Sequence, residues 1–251
     1  MSSQLVGSRL RRVLTLAVAA AVLATTGFLA WAASAMLAEA RPLAMATSDS
    51  GFTLTETADA VVLTPADPTP TGLVYLAGAR VEPAAYAYKL AGLAEAGVTV
   101  VIVRPTLNFA IFEGRPLGAL EALAPQATHW FVGGHSLGGV RACSYAAANP
   151  DAVAGLILFG SYCADDVSGS SLPVLTIVGE RDGLSTPANV ADAAHLLPPD
   201  AAVVTLPGAT HAQFGDYGLQ PGDGTSTTTD QAVRRGITDA VSAFIDGVDG
   251  H

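Results

Sequence analysis

The sequence predicts an α/β fold: a mostly parallel, doubly wound sheet with helices on both faces, behind an apolar N-terminal helix. Three observations predict it. Short apolar, β-branched runs at residues 72–77, 98–103, 153–159 and 173–178 have the character of strands buried on both faces. Stretches with helical apolar spacing separate them, and regular alternation of strand and helix implies crossover units and a parallel sheet. The third is Gly134-His135-Ser136-Leu137-Gly138, set between an apolar run at 130–132 and an alanine-rich helical run at 140–148. A Gly-x-Ser-x-Gly pattern in that context is a tight strand-to-helix turn that holds the serine hydroxyl above the sheet, beside the first free N–H groups of the helix.

The chain has 251 residues, of which 50% are hydrophobic and 14% charged. That is enough for one domain with a full core. Mean hydropathy is +0.42, raised in part by the N-terminal segment. The formal charge of −10 argues against nucleic acid as a partner. Beyond residue 40 there are 9 basic and 21 acidic residues without a run of like sign, which implies a solvated acidic surface.

Arg9, Arg11 and Arg12 precede an uncharged run at 13–38. A membrane span needs about 20 apolar residues and a signal-peptide core typically about 7–15. The run is long enough to span, with a cytoplasmic N-terminus at 1–12 and the main domain outside. Ala33-Ser34-Ala35 and Ala38-Glu39-Ala40 also resemble cleavage sites, so a signal anchor and a cleaved signal peptide both stand, with a buried core helix as the remaining alternative; either of the first two exports the domain. Residues 39–50, with Pro42 and a small-residue stretch, read as a linker, and residues 51–251 as the domain. Outside the cell Cys143 and Cys163 are either a disulfide or two small buried apolar side chains. No Cys/His cluster has metal-ligand spacing, so no metal or cofactor is expected.

Taken in order, residues 52–56 alternate apolar and polar and 60–63 form a second short strand, together an antiparallel hairpin at the sheet edge. After the strand at 72–77, residues 83–97 read as a helix, begun by Pro83 and stopped by Gly97. The strand at 98–103 is followed by a looser helix at 118–123, a strand at 129–132 and the serine turn. Strands at 153–159 and 173–178, a helix at 187–197, a strand at 202–206, a polar loop at 215–230 and a helix at 231–245 complete the chain.

Serine needs a base within hydrogen-bond reach and an acid that orients the base. In a doubly wound sheet functional groups gather at the carboxyl ends of strands. Asp182 follows the strand ending at Val178, with Glu180 its nearest rival, and His211 follows the strand ending at Leu206. The order Ser136, Asp182, His211 suits this topology. Of the other histidines, His135 lies inside the turn and reads as pointing away from the serine, His129 begins a strand, and His195 lies in a helix. The oxyanion donors expected are the N–H of Leu137 and one from the loop after residues 72–77, Ala79 or Arg80. Only about a dozen residues separate Phe159 from Pro173, so no lid domain is expected there. The open site is then walled by the loop holding Tyr162 and by residues 215–230, with Asn108 and Phe109 as pocket candidates.

These residues resemble the α/β-hydrolase superfamily over essentially all of residues 51–248. A closer likeness, to bacterial hydrolases of the family-5, dienelactone-hydrolase-like group, rests on three stretches: Ala77-Gly78-Ala79-Arg80-Val81-Glu82-Pro83-Ala84-Ala85-Tyr86, Arg104-Pro105-Thr106-Leu107-Asn108-Phe109-Ala110, and Thr210-His211-Ala212-Gln213-Phe214-Gly215-Asp216-Tyr217-Gly218. The resemblance implies a serine hydrolase with Ser136 as nucleophile, Asp182 as orienting acid and His211 as base. Dienelactone hydrolases often carry cysteine at the nucleophile position, and this chain has Ser136. The expected activity is ester cleavage of a small-molecule acyl substrate, carboxylesterase-like. Acyl transfer to cell-envelope acceptors and a non-catalytic binding module are the rival readings.

Overall fold

The computed structural model describes residues 2–48 and 51–250. Eight strands form one sheet: β1 (Phe52–Glu56), β2 (Ala60–Pro65), β3 (Thr71–Leu76), β4 (Thr99–Val103), β5 (His129–His135), β6 (Gly155–Phe159), β7 (Val174–Gly179) and β8 (Ala202–Leu206). Their order is β1-β2-β4-β3-β5-β6-β7-β8. β1 and β2 pair antiparallel, as does β2 with β4, and every pair from β4 to β8 is parallel.

Successive strand residues point to opposite faces, and both faces are covered. Leu73, Tyr75, Ile102, Phe131, Ile157 and Ile177 join a core roofed by α2 (Ala40–Thr47), α3 (Ala87–Glu95) and α7 (Asp230–Asp249). Val74, Leu76, Val101, Val132, Leu156 and Leu158 join the other core, under α4 (Leu117–Glu121) and α5 (Leu137–Ala148). α6 (Pro187–Ala193) begins with a capping box, Thr186 with Asn189. Val233, Ile237, Val241 and Ile245 form the buried stripe of α7. β6 and β7 are joined by a plain loop with no inserted domain.

Two expectations at the N-terminus are corrected. The apolar run does not continue as one span to residue 38: α1 (Ser2–Ala33) stops at Ala33. Met36 then pairs with Val81 as a parallel bridge, its N–H donating to the Arg80 carbonyl (2.6 Å) and its carbonyl accepting from Glu82 N–H (2.9 Å). Residues 39–50 are not a linker throughout, because Ala40–Thr47 is helix. Ala46 is buried in the core and Leu43 packs against it, one helical turn apart. The folded unit therefore begins before Gly51. Residues 49 and 50, at the end of the expected linker, and His251 lie outside the described residues.

The helix expected at 83–97 begins as a 3-10 turn, Pro83–Tyr86, and gives way to α3. Gly97, at φ +97°, closes it. Cys143 and Cys163 are joined as a disulfide, with Cα atoms 5.5 Å apart.

Candidate active site

β5 runs three residues further than its apolar core suggests, to His135, and α5 starts at Leu137. Ser136 alone makes the turn, at φ +53°, ψ −124°, a conformation that non-glycine residues adopt only under constraint. The constraint is visible. Ser136 N–H donates to the Phe159 carbonyl (3.1 Å), and Ser136 O accepts from Ser161 Oγ (2.7 Å) and Gly139 N–H (2.9 Å). A Cβ at Gly134 would lie 2.5 Å from Gly138 C, and one at Gly138 only 2.0 Å from Leu76 O, so backbone approach at this crossing requires glycine at both.

Asp182, buried just beyond β7, divides its carboxylate between two tasks. Oδ1 accepts from Leu184 N–H (2.9 Å) and Ser185 N–H (2.7 Å). Oδ2 lies 2.8 Å from Nδ1 of the buried His211. The N–H that donates there is on Nδ1, which leaves Nε2 to act as acceptor. Glu180, the rival acid, instead accepts from Gly208 N–H (2.6 Å) and steadies the turn after β8. Asp182 and His211 are thus brought together. Among the described residues no hydrogen bond joins Ser136 Oγ to His211.

His135 does not stand apart from this pair. Its buried ring is centred 4.3 Å from that of His211. Burial, then the neighbouring His211, holds the His135 imidazole well below its usual range and keeps it neutral. Its Nδ1 is 3.0 Å from Tyr86 Oη, and Tyr86 Oη accepts from Gly78 N–H at 2.9 Å. Burial pushes the Tyr86 phenol up, so it keeps its proton and donates it to His135.

The oxyanion candidates separate by their partners. Arg80 N–H donates to the Asn108 carbonyl (2.6 Å) and Gly78 N–H is taken by Tyr86. Among the described residues the N–H groups of Ala79 and Leu137 have no hydrogen-bond acceptor. Arg80, expected as an alternative donor, is therefore spent, and Ala79 is left with Leu137.

Asn108 and Phe109, expected as pocket lining, turn toward α1. Asn108 Nδ2 donates to Ala32 O (2.9 Å), and the Phe109 ring is 5.6 Å from that of Trp31. Tyr162 is partly exposed in the loop after β6 and lines a depression with Cys163, Asn189 and His195. A cavity of about 520 Å³ lies along the 215–230 loop, lined by Glu39, Gln213, Asp223 and Asp230; Ser136 is not part of its wall.

One residue of that loop had no motif to mark it. Asp223 accepts from the N–H groups of Gly183 (3.0 Å), His211 (3.1 Å), Ala212 (2.8 Å) and Gly224 (2.7 Å). It ties the turn carrying Asp182 to the turn carrying His211. Burial raises its carboxyl, but these four donors outweigh burial and hold it below the usual range. The signal was an acid between two glycines, Gly222 and Gly224, in a long polar loop.

A model of the alpha/beta hydrolase family matches residues 72–235. Several solved structures share the fold. A membrane phospholipase A, described as a bacterial virulence factor, aligns over the whole of both chains at 16% identity, TM-score 0.58. Est1E from Butyrivibrio proteoclasticus with ferulic acid bound aligns over 78% of this chain and 97% of its own, at 14% identity and TM-score 0.56. A CIB-like hydrolase from Thermoplasma acidophilum aligns over 77% and 100%, at 14% identity and TM-score 0.57. No curated protein sequence matches the chain. At these identities the structural likeness speaks for the fold.

Proposed function

The chain belongs to the alpha/beta hydrolase family, and from that premise we propose that it is a serine hydrolase cleaving an ester through an acyl-enzyme on Ser136. The observation that carries the reading is the buried Asp182–His211 contact of 2.8 Å, on the sheet edge where the Ser136 turn also lies. Asp182 fixes the His211 tautomer so that Nε2 is free to take the Ser136 proton as Oγ attacks the acyl carbonyl. The developing oxyanion is stabilised by the N–H groups of Leu137 and Ala79. His211 returns the proton to the leaving alcohol; water then enters, gives a proton to His211 and releases the acid.

The phospholipase A of the same fold is an ester-cleaving enzyme, which favours an ester over other acyl groups. The N-terminal helix supports export. Its apolar stretch Arg11–Ala33 has 23 residues and a mean hydropathy of 2.2, and every residue of it but Ala32 is exposed. A retained anchor is favoured over cleavage at either candidate site. Cleavage after Ala35 would remove Ser34, which hydrogen-bonds Arg80, and cleavage after Ala40 would also remove the Met36 bridge to Val81.

A fluorophosphonate probe should label the protein, and Ser136→Ala should abolish labelling. A panel of p-nitrophenyl esters of increasing chain length should then give turnover, with acceptor alcohols added to detect acyl transfer. Folded protein that takes no label would sink the reading.

A further inference from the structure

The end of α1 is docked on the loop that carries the proposed oxyanion donor. Asn108 makes the junction: its Nδ2 donates to the Ala32 carbonyl (2.9 Å), and its own carbonyl accepts from Arg80 N–H (2.6 Å). The Arg80 side chain closes the same junction. Its Nη2 donates to Ser34 O (2.5 Å) and Ser34 Oγ (2.7 Å), and its guanidinium sits 4.4 Å from the Trp31 ring centre. Ala79, with its free N–H, is the next residue along. A tether whose only task is retention needs a slack linker; here the helix end and the catalytic loop are one packed unit.

The depth of that unit follows from helix geometry. At about 1.5 Å per residue the 23-residue stretch is about 34 Å long, against a hydrocarbon core of about 30 Å. Phe28 and Trp31, within two turns of its end, therefore sit at the outer edge of the core. The Phe109 ring is 6.5 Å from Phe28 and 5.6 Å from Trp31, so it sits at the same level. Around it Leu107, Ile111 and Phe112 are 39%, 51% and 45% exposed. Large apolar side chains at that level meet lipid rather than bulk water.

We infer that the substrate is an acyl ester of a membrane lipid, taken from the leaflet that surrounds the docked end of α1. The inference rests on the hydrolase reading above and on α1 spanning the membrane. Ala79 and Leu137 then wait at headgroup level, where the ester bonds of glycerolipids lie, and Arg80 is held at the interface by Trp31 and Ser34.

The test uses the full chain reconstituted in vesicles. Dioleoylphosphatidylglycerol, dioleoylphosphatidylcholine and dioleoylglycerol are each diluted in a diether phosphatidylcholine that cannot be hydrolysed. Oleate release is expected from at least one of them, absent in Ser136→Ala. It should rise with the ester's fraction in the bilayer and not with bulk vesicle concentration. The double variant Leu107→Glu, Ile111→Glu puts charge on the rim outside the catalytic groups. It should release oleate at least tenfold more slowly while hydrolysing p-nitrophenyl acetate at the parental rate. Protein that takes the fluorophosphonate label but releases no oleate from any of the three lipids would overturn the inference and leave the hydrolase reading intact. So would oleate release unchanged in the double variant. Protein that takes no label fails at the earlier step instead.

Discussion

Tyr86 Oη stands 3.0 Å from His135 Nδ1 and 2.9 Å from Gly78 N, so a single phenol pins the loop after β3 to the residue that precedes the turn serine. Donating to a neutral imidazole and accepting from a backbone amide, it uses both capacities of the hydroxyl. The loop so pinned contains Ala79, and the turn so pinned contains Ser136.

Tyr86→Phe keeps the ring and removes both bonds. It leaves Gly78 N–H and His135 Nδ1 buried without partners, at about 1–3 kcal/mol each. Removing an oxyanion donor outright costs about 10²–10³ in kcat. Loosening one should cost less, about tenfold, with KM little changed. Steady-state kinetics on a soluble ester read the split. A rise in KM with unchanged kcat would refute the positioning role.

Asp223→Ala tests the clamp between the Asp182 and His211 turns. Four backbone donors lose a charged acceptor, and hydrogen bonds to charged groups are worth about 1.5–3 kcal/mol each before relaxation and water replace part of it. We expect a loss of about 2–4 kcal/mol in stability and at least a tenfold fall in kcat. The acid limb carries the signature. The folded carboxyl is held below its ordinary value, so its stabilisation is full above that value and is lost as pH falls through the depressed one. Urea melts at decreasing pH should show a steeper acid loss in the parent than in the variant. Parallel acid limbs would count against the clamp.

The fold was legible because its strands are continuous β-branched runs such as 98–103, which only a doubly covered sheet accommodates. The Asp182–His211 contact was legible because each residue follows a strand, and strand ends are where such a sheet gathers polar groups. What escaped was contact between distant segments. The docking of residues 31–39 depends on Arg80, Asn108 and Glu82, none of which carries a periodic signal; Glu82 accepts from Ala38 N–H at 2.9 Å. α2 was hidden by its eight-residue length and by Pro42 in its first turn. For His135 the turn gave only a ring pointing away from the serine; that this ring meets His211 and Tyr86 depends on segments far away in the chain.

The Cys143–Cys163 disulfide ties α5 to the loop after β6, beside the Ser161 Oγ bond to Ser136 O. It spans a sequence separation of 20. A loop of that size is worth about 3 kcal/mol, and in a domain of this length 1 kcal/mol moves Tm by about 2–4 °C. Cys143→Ala with Cys163→Ala should therefore lower Tm by roughly 6–12 °C. Calorimetry of parent and variant, both without reductant, makes the comparison. Equal Tm values would show that the bridge adds nothing to stability.

Lys89, fully buried, pairs with Asp216 (2.7 Å) and with Asp230 (3.1 Å), joining α3 to the loop after β8 and to the start of α7. Burial raises the Asp216 carboxyl to about 6 even though the Lys89 ammonium pulls the other way; Asp230 and Glu39 add to the rise. In the unfolded chain the same group titrates near 3.8. Between these values the native state holds a proton that the unfolded state has released. Stability from this group is therefore full below the unfolded value and fades as pH rises through about 6. Asp216→Asn does not titrate and loses that slope. The difference in unfolding free energy, parent minus variant, should fall by on the order of 2–3 kcal/mol between about pH 4 and pH 7. Urea melts across that range measure it directly. A difference that stays flat with pH would mean that Asp216 is ionised throughout and that its ion pair with Lys89 outweighs burial.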